Sequence, residues 1–168
     1  MADFKKAIEK VLKYEGGYAN DLADRGGETN YGITIAVARG NGYQGEMREL
    51  PISKAKEIYE RNYWRYNKLD LVESQLVAEY LFDIAVNCGN ATMAKMIQKV
   101  INLLTGTELL LVDGIVGRFT VEGLNKLTIS HGQELMNCLR GERYCLYRDI
   151  VLKNRTQWKF LHGWLLRV

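Results

Sequence analysis

The stretch Tyr14-Glu15-Gly16-Gly17-Tyr18-Ala19-Asn20-Asp21-Leu22-Ala23-Asp24-Arg25-Gly26-Gly27-Glu28-Thr29-Asn30-Tyr31-Gly32-Ile33-Thr34 decides how the rest of the chain is read. Upstream of it, Phe4, Ile8, Val11, Leu12 and Glu15 recur at helical spacing on one stripe, so Glu15 closes the core-facing side of an amphipathic helix, and Glu9 points elsewhere. Gly16-Gly17 stops that helix, because glycine takes the left-handed conformation that ends a helix without strain. Glu15 is therefore expected at the negative end of a helix dipole beside apolar surface. Both effects disfavour the carboxylate and raise its pKa, as a general acid near neutral pH requires.

Asp24 follows in Asp-Arg-Gly-Gly, where the glycines permit tight turns and close backbone approach. It is expected to be solvated, hydrogen-bonded and ionised. One buried, protonated carboxyl and one wet, charged carboxylate are the pair that glycoside hydrolysis needs, the first to protonate a leaving oxygen and the second to activate water. Thr29 and Asn30 open a β-like polar run, Glu-Thr-Asn-Tyr-Gly-Ile-Thr, that suits a hairpin arm beside a cleft. Their hydroxyl and amide can orient a water or a sugar, and Tyr18 and Tyr31 flank them as further substrate-binding candidates.

Glu-Gly-Gly-Tyr followed by Asp-Arg-Gly-Gly-Glu-Thr-Asn-Tyr-Gly-Ile-Thr resembles the signature of glycoside hydrolase family 108, lysozyme-like N-acetylmuramidases of phage and prophage lysis cassettes. The spacing of Glu15 and Asp24 is also similar to that in the Glu-Asp-Thr triad of phage lysozymes. The third position is offset from theirs by one residue, so Thr29 and Asn30 both stand as candidates for it. The resemblance implies cleavage of a β-1,4 bond on the muramic acid side in peptidoglycan, Glu15 as acid, Asp24 as base or charge stabiliser, and inversion at the anomeric carbon. No cofactor is expected, because proton transfer and charge stabilisation suffice.

With 168 residues the chain can bury a core as one domain, or as one domain with a small lobe. No apolar run reaches the roughly 18 to 20 residues that span a bilayer, and Met-Ala-Asp-Phe-Lys-Lys leads straight into a helix. Synthesis in the cytoplasm without a signal peptide is expected, with action on the wall or periplasm after release through a holin or an export system, as the resemblance implies. The net charge of +3, from 23 basic and 20 acidic residues, is too diffuse for a nucleic-acid site and favours an anionic polymer only weakly. Lys5, Lys6, Lys10 and Lys13 read as the solvated side of the first helix. Cys88, Cys138 and Cys145 read as reduced thiols, and His131 and His162 lack partners at zinc spacing.

Beyond the hairpin, Ile35 to Arg39 and the glycines at 40, 42 and 45 read as a flexible loop, and Leu50-Pro51 with Ser53 as N-cap begins a helix. Tyr59, Tyr63, Trp64 and Tyr66 either pack in the core or lend a ring to a sugar; Ile-Tyr followed by Tyr-Trp is shared with the resemblance. Residues 73–88 predict a buried helix carrying Leu76, Val77, Tyr80, Leu81 and Ile84, with Asp83 and Asn87 near its face. The next helix buries Met93, Ile97, Val100, Ile101 and Leu104 and leaves Gln98 and Asn102 on its polar edge. Asp113-Gly-Ile-Val-Gly-x-x-Thr120 is similar to a motif of peptidoglycan-binding modules, which would make Asp113 a wall contact; it can equally fix a turn, with Thr120 capping a helix. Ser130 with Gln133 reads as a capping box before a long helix in which Gly141 can bend. The apolar tail from Trp158, whose Gly-Trp-Leu-x-Arg ending also resembles the family, is expected to dock on the body.

The expectation is thus a mainly α, lysozyme-like fold with a small β-hairpin and a helical C-terminal lobe, residues 1–90 catalytic and 91–168 peptidoglycan-binding. A non-catalytic wall-binding or secretion-promoting protein on the same fold would be marked by loss of Glu15 or Asp24, and both are present.

Overall fold

The computed structural model describes residues 1–14, 17–19 and 27–168, and of Lys13 and Tyr14 the backbone alone. The fold is mainly helical and lysozyme-like, with one two-stranded hairpin among the described residues, and it divides into two compact units, Met1–Asp83 and Ile84–Val168.

The first unit starts with α1, Phe4–Tyr14, whose stripe buries Ala7, Ile8 and Val11 while Lys5, Lys6 and Lys10 face solvent. Its N-terminus is tied down by Ala2, whose N–H donates to the Val72 carbonyl, and by Gln75, whose side chain exchanges two hydrogen bonds with the Asp3 backbone. The hairpin pairs β1, Thr29–Asn30, with β2, Ile33–Thr34, in antiparallel register. Its turn residues Tyr31 and Gly32 have φ of 51° and 72°, the left-handed pair that a type I′ turn demands. Thr34 then caps α2, Ile35–Gly40, by accepting from the Val37 N–H, so the segment expected as a loop is a short helix. Arg39 pins the glycine-rich turn after it, donating to the carbonyls of Tyr43 and Gly45.

The helix α3, Ile52–Tyr59, starts directly after Pro51 rather than on Ser53, and runs on as a π-helical turn through Glu60–Arg65. That widened turn places Tyr59 and Trp64 inside. Trp64 meets Phe4 and Phe82 edge to face at 5.8 and 5.5 Å, and Tyr59 meets Phe82 at 6.3 Å. Tyr59 and Trp64 are therefore core residues, whereas Tyr66 is exposed. The helix α4, Gln75–Cys88, buries Val77, Ala78, Leu81 and Phe82 in this unit but leaves Leu76 exposed.

The second unit contains the end of α4 and α5, Asn90–Thr105; α6, Arg118–Ser130; α7, Gly132–Lys153; and α8, Trp158–Leu165. The α5 side chains Met93, Ile97, Val100 and Ile101 are buried as expected, and α7 runs through Gly141 as a single helix. Two expected caps are displaced. Gly117 precedes α6 and Thr120 is buried in its first turn, while Ser130 ends α6 and donates back to the Lys126 carbonyl. The tail docks within this unit: Trp164 stacks on Tyr147 at 5.2 Å, and the buried Arg143 donates to the Arg167 carbonyl at 2.7 Å.

Candidate active site

Glu15 and Asp24, the expected acid and base, lie outside the described residues, and the structure speaks to what flanks them. The described part of α1 runs to Tyr14, the residue before Glu15. The segment holding Asp24 begins and ends on paired backbone, because Ala19 and Thr29 form an antiparallel bridge with both N–H groups donating at 2.9 Å.

Around that bridge four candidates share one corner of the first unit. Thr29 is half-buried on β1. Asn30 is only 4% exposed, and its amide nitrogen donates to the carbonyls of Met47 at 2.8 Å and Arg48 at 3.3 Å. Buried polar groups are held by such bonds because leaving them unmade costs more than making them gains. Asn30 therefore fastens the hairpin to the 3₁₀ turn at Met47–Glu49, and any contact it makes with substrate is left to its amide oxygen. Tyr31 is half-buried, and its carbonyl accepts from the Tyr59 hydroxyl at 2.9 Å, which secures a non-glycine residue in left-handed backbone. Tyr18, also half-buried, lies under the Arg48 guanidinium at 4.9 Å, within cation–π range.

Arg48 and Tyr59 were not singled out for this corner from sequence. Arg48 carried no local signal, since both its contacts are long-range. Tyr59 stood in the aromatic run, but only the fold brings its hydroxyl to the hairpin turn.

Asp113 takes part in a different construction, in the second unit. Its carboxylate accepts from Gln98 Nε2 at 2.7 Å and from the Ile115 N–H at 2.8 Å, and these bonds hold its pKa below the ordinary aspartate value, Gln98 contributing most. Gln98 is buried rather than on a polar edge, and its other contacts are the Gly114 N–H and the Ile115 carbonyl. One turn on, Asn102 exchanges two hydrogen bonds with the Leu110 backbone. The Asp-Gly motif is thus a turn stapled to α5 by the Gln98 amide, with Asn102 fastening the run before it at Leu110, and the i, i+4 spacing of Gln98 and Asn102 was the signal for it.

The family model for Glycosyl hydrolase 108 matches residues 8–89, and that for the Predicted Peptidoglycan domain matches residues 90–168. A solved structure of Brucella abortus SagA is 31% identical, with a TM-score of 0.75 over 98% of this chain and 88% of that chain. The chain belongs to the glycosyl hydrolase 108 family. Among curated proteins none matches it. As a family 108 member with a peptidoglycan-binding domain, it is a glycoside hydrolase that acts on peptidoglycan. Among the described residues no helix is long and apolar enough to cross a membrane, and no cluster of His, Cys, Asp or Glu is arranged to hold a metal ion.

Proposed function

We propose that this family 108 protein is an N-acetylmuramidase that cleaves the β-1,4 bond between N-acetylmuramic acid and N-acetylglucosamine. The observation that supports it most is the Ala19–Thr29 bridge, which pairs the backbone on either side of the stretch of sequence containing Asp24, with Thr29 as one of the paired residues. Glu15 donates its proton to the glycosidic oxygen as the bond from the anomeric carbon to that oxygen breaks. Asp24 takes a proton from a water whose oxygen attacks the same carbon from the opposite face, with inversion. Thr29 takes the third role, holding that water, since Asn30 already gives its amide nitrogen to the Met47 and Arg48 carbonyls. Tyr18 and Tyr31 line the sugar site, and residues 91–168 hold the chain on the polymer. In this reading the wall is reached through a holin or an export system, as in phage and prophage lysis cassettes.

The test is digestion of purified sacculi followed by borohydride reduction and mass spectrometry. Muramitol at the new reducing ends is the expected result, and glucosaminitol there would assign the other glycosidic bond. Proton NMR during the first minutes of digestion would show the α-anomer first if the reaction inverts; initial β-anomer would reject the direct displacement.

A further inference from the structure

A groove runs along the second unit between α5 and α7. Two cavities compose it, of about 220 and about 290 Å³, with Thr92 and Leu146 forming walls of both. The smaller is lined by Lys95 and Lys99 from α5 and by Glu142 and Asp149 from α7. The larger ends on Tyr147 of α7 and Trp164 of α8.

The charges are set along the groove by helical spacing. Lys95 and Lys99 stand one turn apart, and Glu142 and Asp149 two turns apart, on the facing helix. Lys99 and Glu142 approach only to 3.8 Å, and Asp149 is 2.8 Å from its neighbour Arg148. Such solvent-exposed pairs contribute little, so a ligand can exchange its own charges for them at small cost. From Thr92 to Lys99 the helix rises about 10 Å, the length of about three extended peptide residues.

A bare sugar chain does not match this lining. Carbohydrate is gripped on free aromatic faces, whereas Trp164 is already stacked nearly parallel on Tyr147 and on Phe160, at interplanar angles of 26° and 28°. These rings wall the groove and offer no platform. What the groove offers is ammonium on one side and carboxylate on the other, over the length of a short peptide. The Asp113-Gly114 turn supports it from behind: a Cβ on Gly114 would come within 3.1 Å of Lys95 Cε and 3.2 Å of the Ala91 carbonyl oxygen, so the turn packs directly against the stem of Lys95.

We infer that the α5–α7 groove binds the stem peptide of peptidoglycan, carboxylates of the peptide lying on Lys95 and Lys99 and the ammonium of its diamino acid lying on Glu142 and Asp149. The inference rests on the peptidoglycan reading above and adds which part of the polymer the second unit holds.

The full chain is titrated by calorimetry with the tetrapeptide L-Ala-γ-D-Glu-meso-diaminopimelate-D-Ala and, separately, with N-acetylglucosamine tetrasaccharide. Cosedimentation is measured on intact sacculi and on sacculi stripped of stem peptides by an amidase. Wild type should bind the tetrapeptide, and stripped sacculi should retain it less than intact ones. Lys95→Glu should weaken tetrapeptide binding at least about tenfold through the reversed charge. Thr92→Trp, which fills the junction of the two cavities, should do the same without a charge change. Both variants should keep the wild-type melting temperature, and a variant that does not is replaced by Lys99→Glu. Sacculus binding and cleavage without tetrapeptide affinity, or with equal retention on stripped sacculi, would overturn the stem-peptide site while leaving the hydrolase standing. Failure to bind or cleave sacculi at all would remove the reading beneath it, and the site with it.

Discussion

Replacing Asn30 by alanine leaves the buried Met47 carbonyl and the part-buried Arg48 carbonyl without the amide that now reaches them. Unmade buried bonds cost about 1–3 kcal/mol each way the group is counted, so Asn30→Ala should lower the unfolding free energy by roughly that amount. Thr29→Ala, at a half-buried position, should cost less stability and more turnover. Equal losses of stability and rate in both variants would mean that the hairpin acts only as scaffold. For the proposed acid, Glu15→Gln is nearly isosteric and should reduce turnover by about 10² to 10⁴, the usual contribution of a general acid, while sedimentation with sacculi is kept. Asp24→Asn should fall by about 100-fold or more for the same reason. A variant at either position that retains near wild-type turnover removes that residue from the mechanism. The hairpin corner was legible because Tyr18, Thr29, Asn30 and Tyr31 lie close together in sequence, whereas Glu15 and Asp24 lie outside the described residues. The residues that fasten it were not, since Arg48 and Tyr59 reach the hairpin only through tertiary contacts.

At the scale of elements, what the sequence showed well was what repeats. The stripe of α1 buries Ile8 and Val11 and that of α5 buries Met93, Ile97, Val100 and Ile101, with Phe4, Leu12 and Leu104 half-buried, and the aromatic run puts Tyr59 and Trp64 in the core. Ends were read less well, because side chains that can cap have other uses. Ser130 turns its hydroxyl back to the Lys126 carbonyl, Thr120 is buried, and Pro51 opens α3 through its fixed backbone angle and not through a side-chain bond. The short α2 was missed since its six residues hold less than two turns of periodicity. The Gln98 staple makes the sharpest prediction here. Gln98→Met keeps the volume but leaves the Gly114 N–H and Ile115 carbonyl without their partner, and it should destabilise by about 2 kcal/mol or more. Asp113→Ala removes one end of the same network from an exposed position, so its effect should be smaller. If Asp113→Ala instead weakens sedimentation with sacculi and leaves the melting temperature unchanged, the carboxylate touches the wall and the turn is secondary.

For the molecule as a whole, alkaline stability is tied to how its C-terminal end is held. Tyr147 is buried on α7, stacked on Trp164, and its hydroxyl oxygen accepts from Arg143 Nε at 2.8 Å and from the Cys88 thiol at 3.8 Å. Burial pushes its pKa up from the ordinary 10 to about 12, with the Arg143 charge opposing the rise. The native state therefore holds this proton more tightly than the unfolded chain does. Below pH 10 both states keep it and the stabilisation is complete; between pH 10 and about 12 the unfolded chain ionises first and stability falls; above that no further loss comes from this group. A displacement of this size corresponds to about 2 to 3 kcal/mol across the interval. Tyr147→Phe keeps the ring against Trp164 but removes the ionisation, so it should be less stable than wild type at pH 8, where the Arg143 bond is lost, yet lose less stability from pH 10 to 12. Urea unfolding at a series of pH values measures both. Because the chain has ten tyrosines, the comparison rests on the difference between variant and wild type and not on the wild-type slope. Parallel slopes for the two proteins would show that the Tyr147 proton is not linked to folding, and that Arg143 and the Trp164 stack hold the C-terminal end without it.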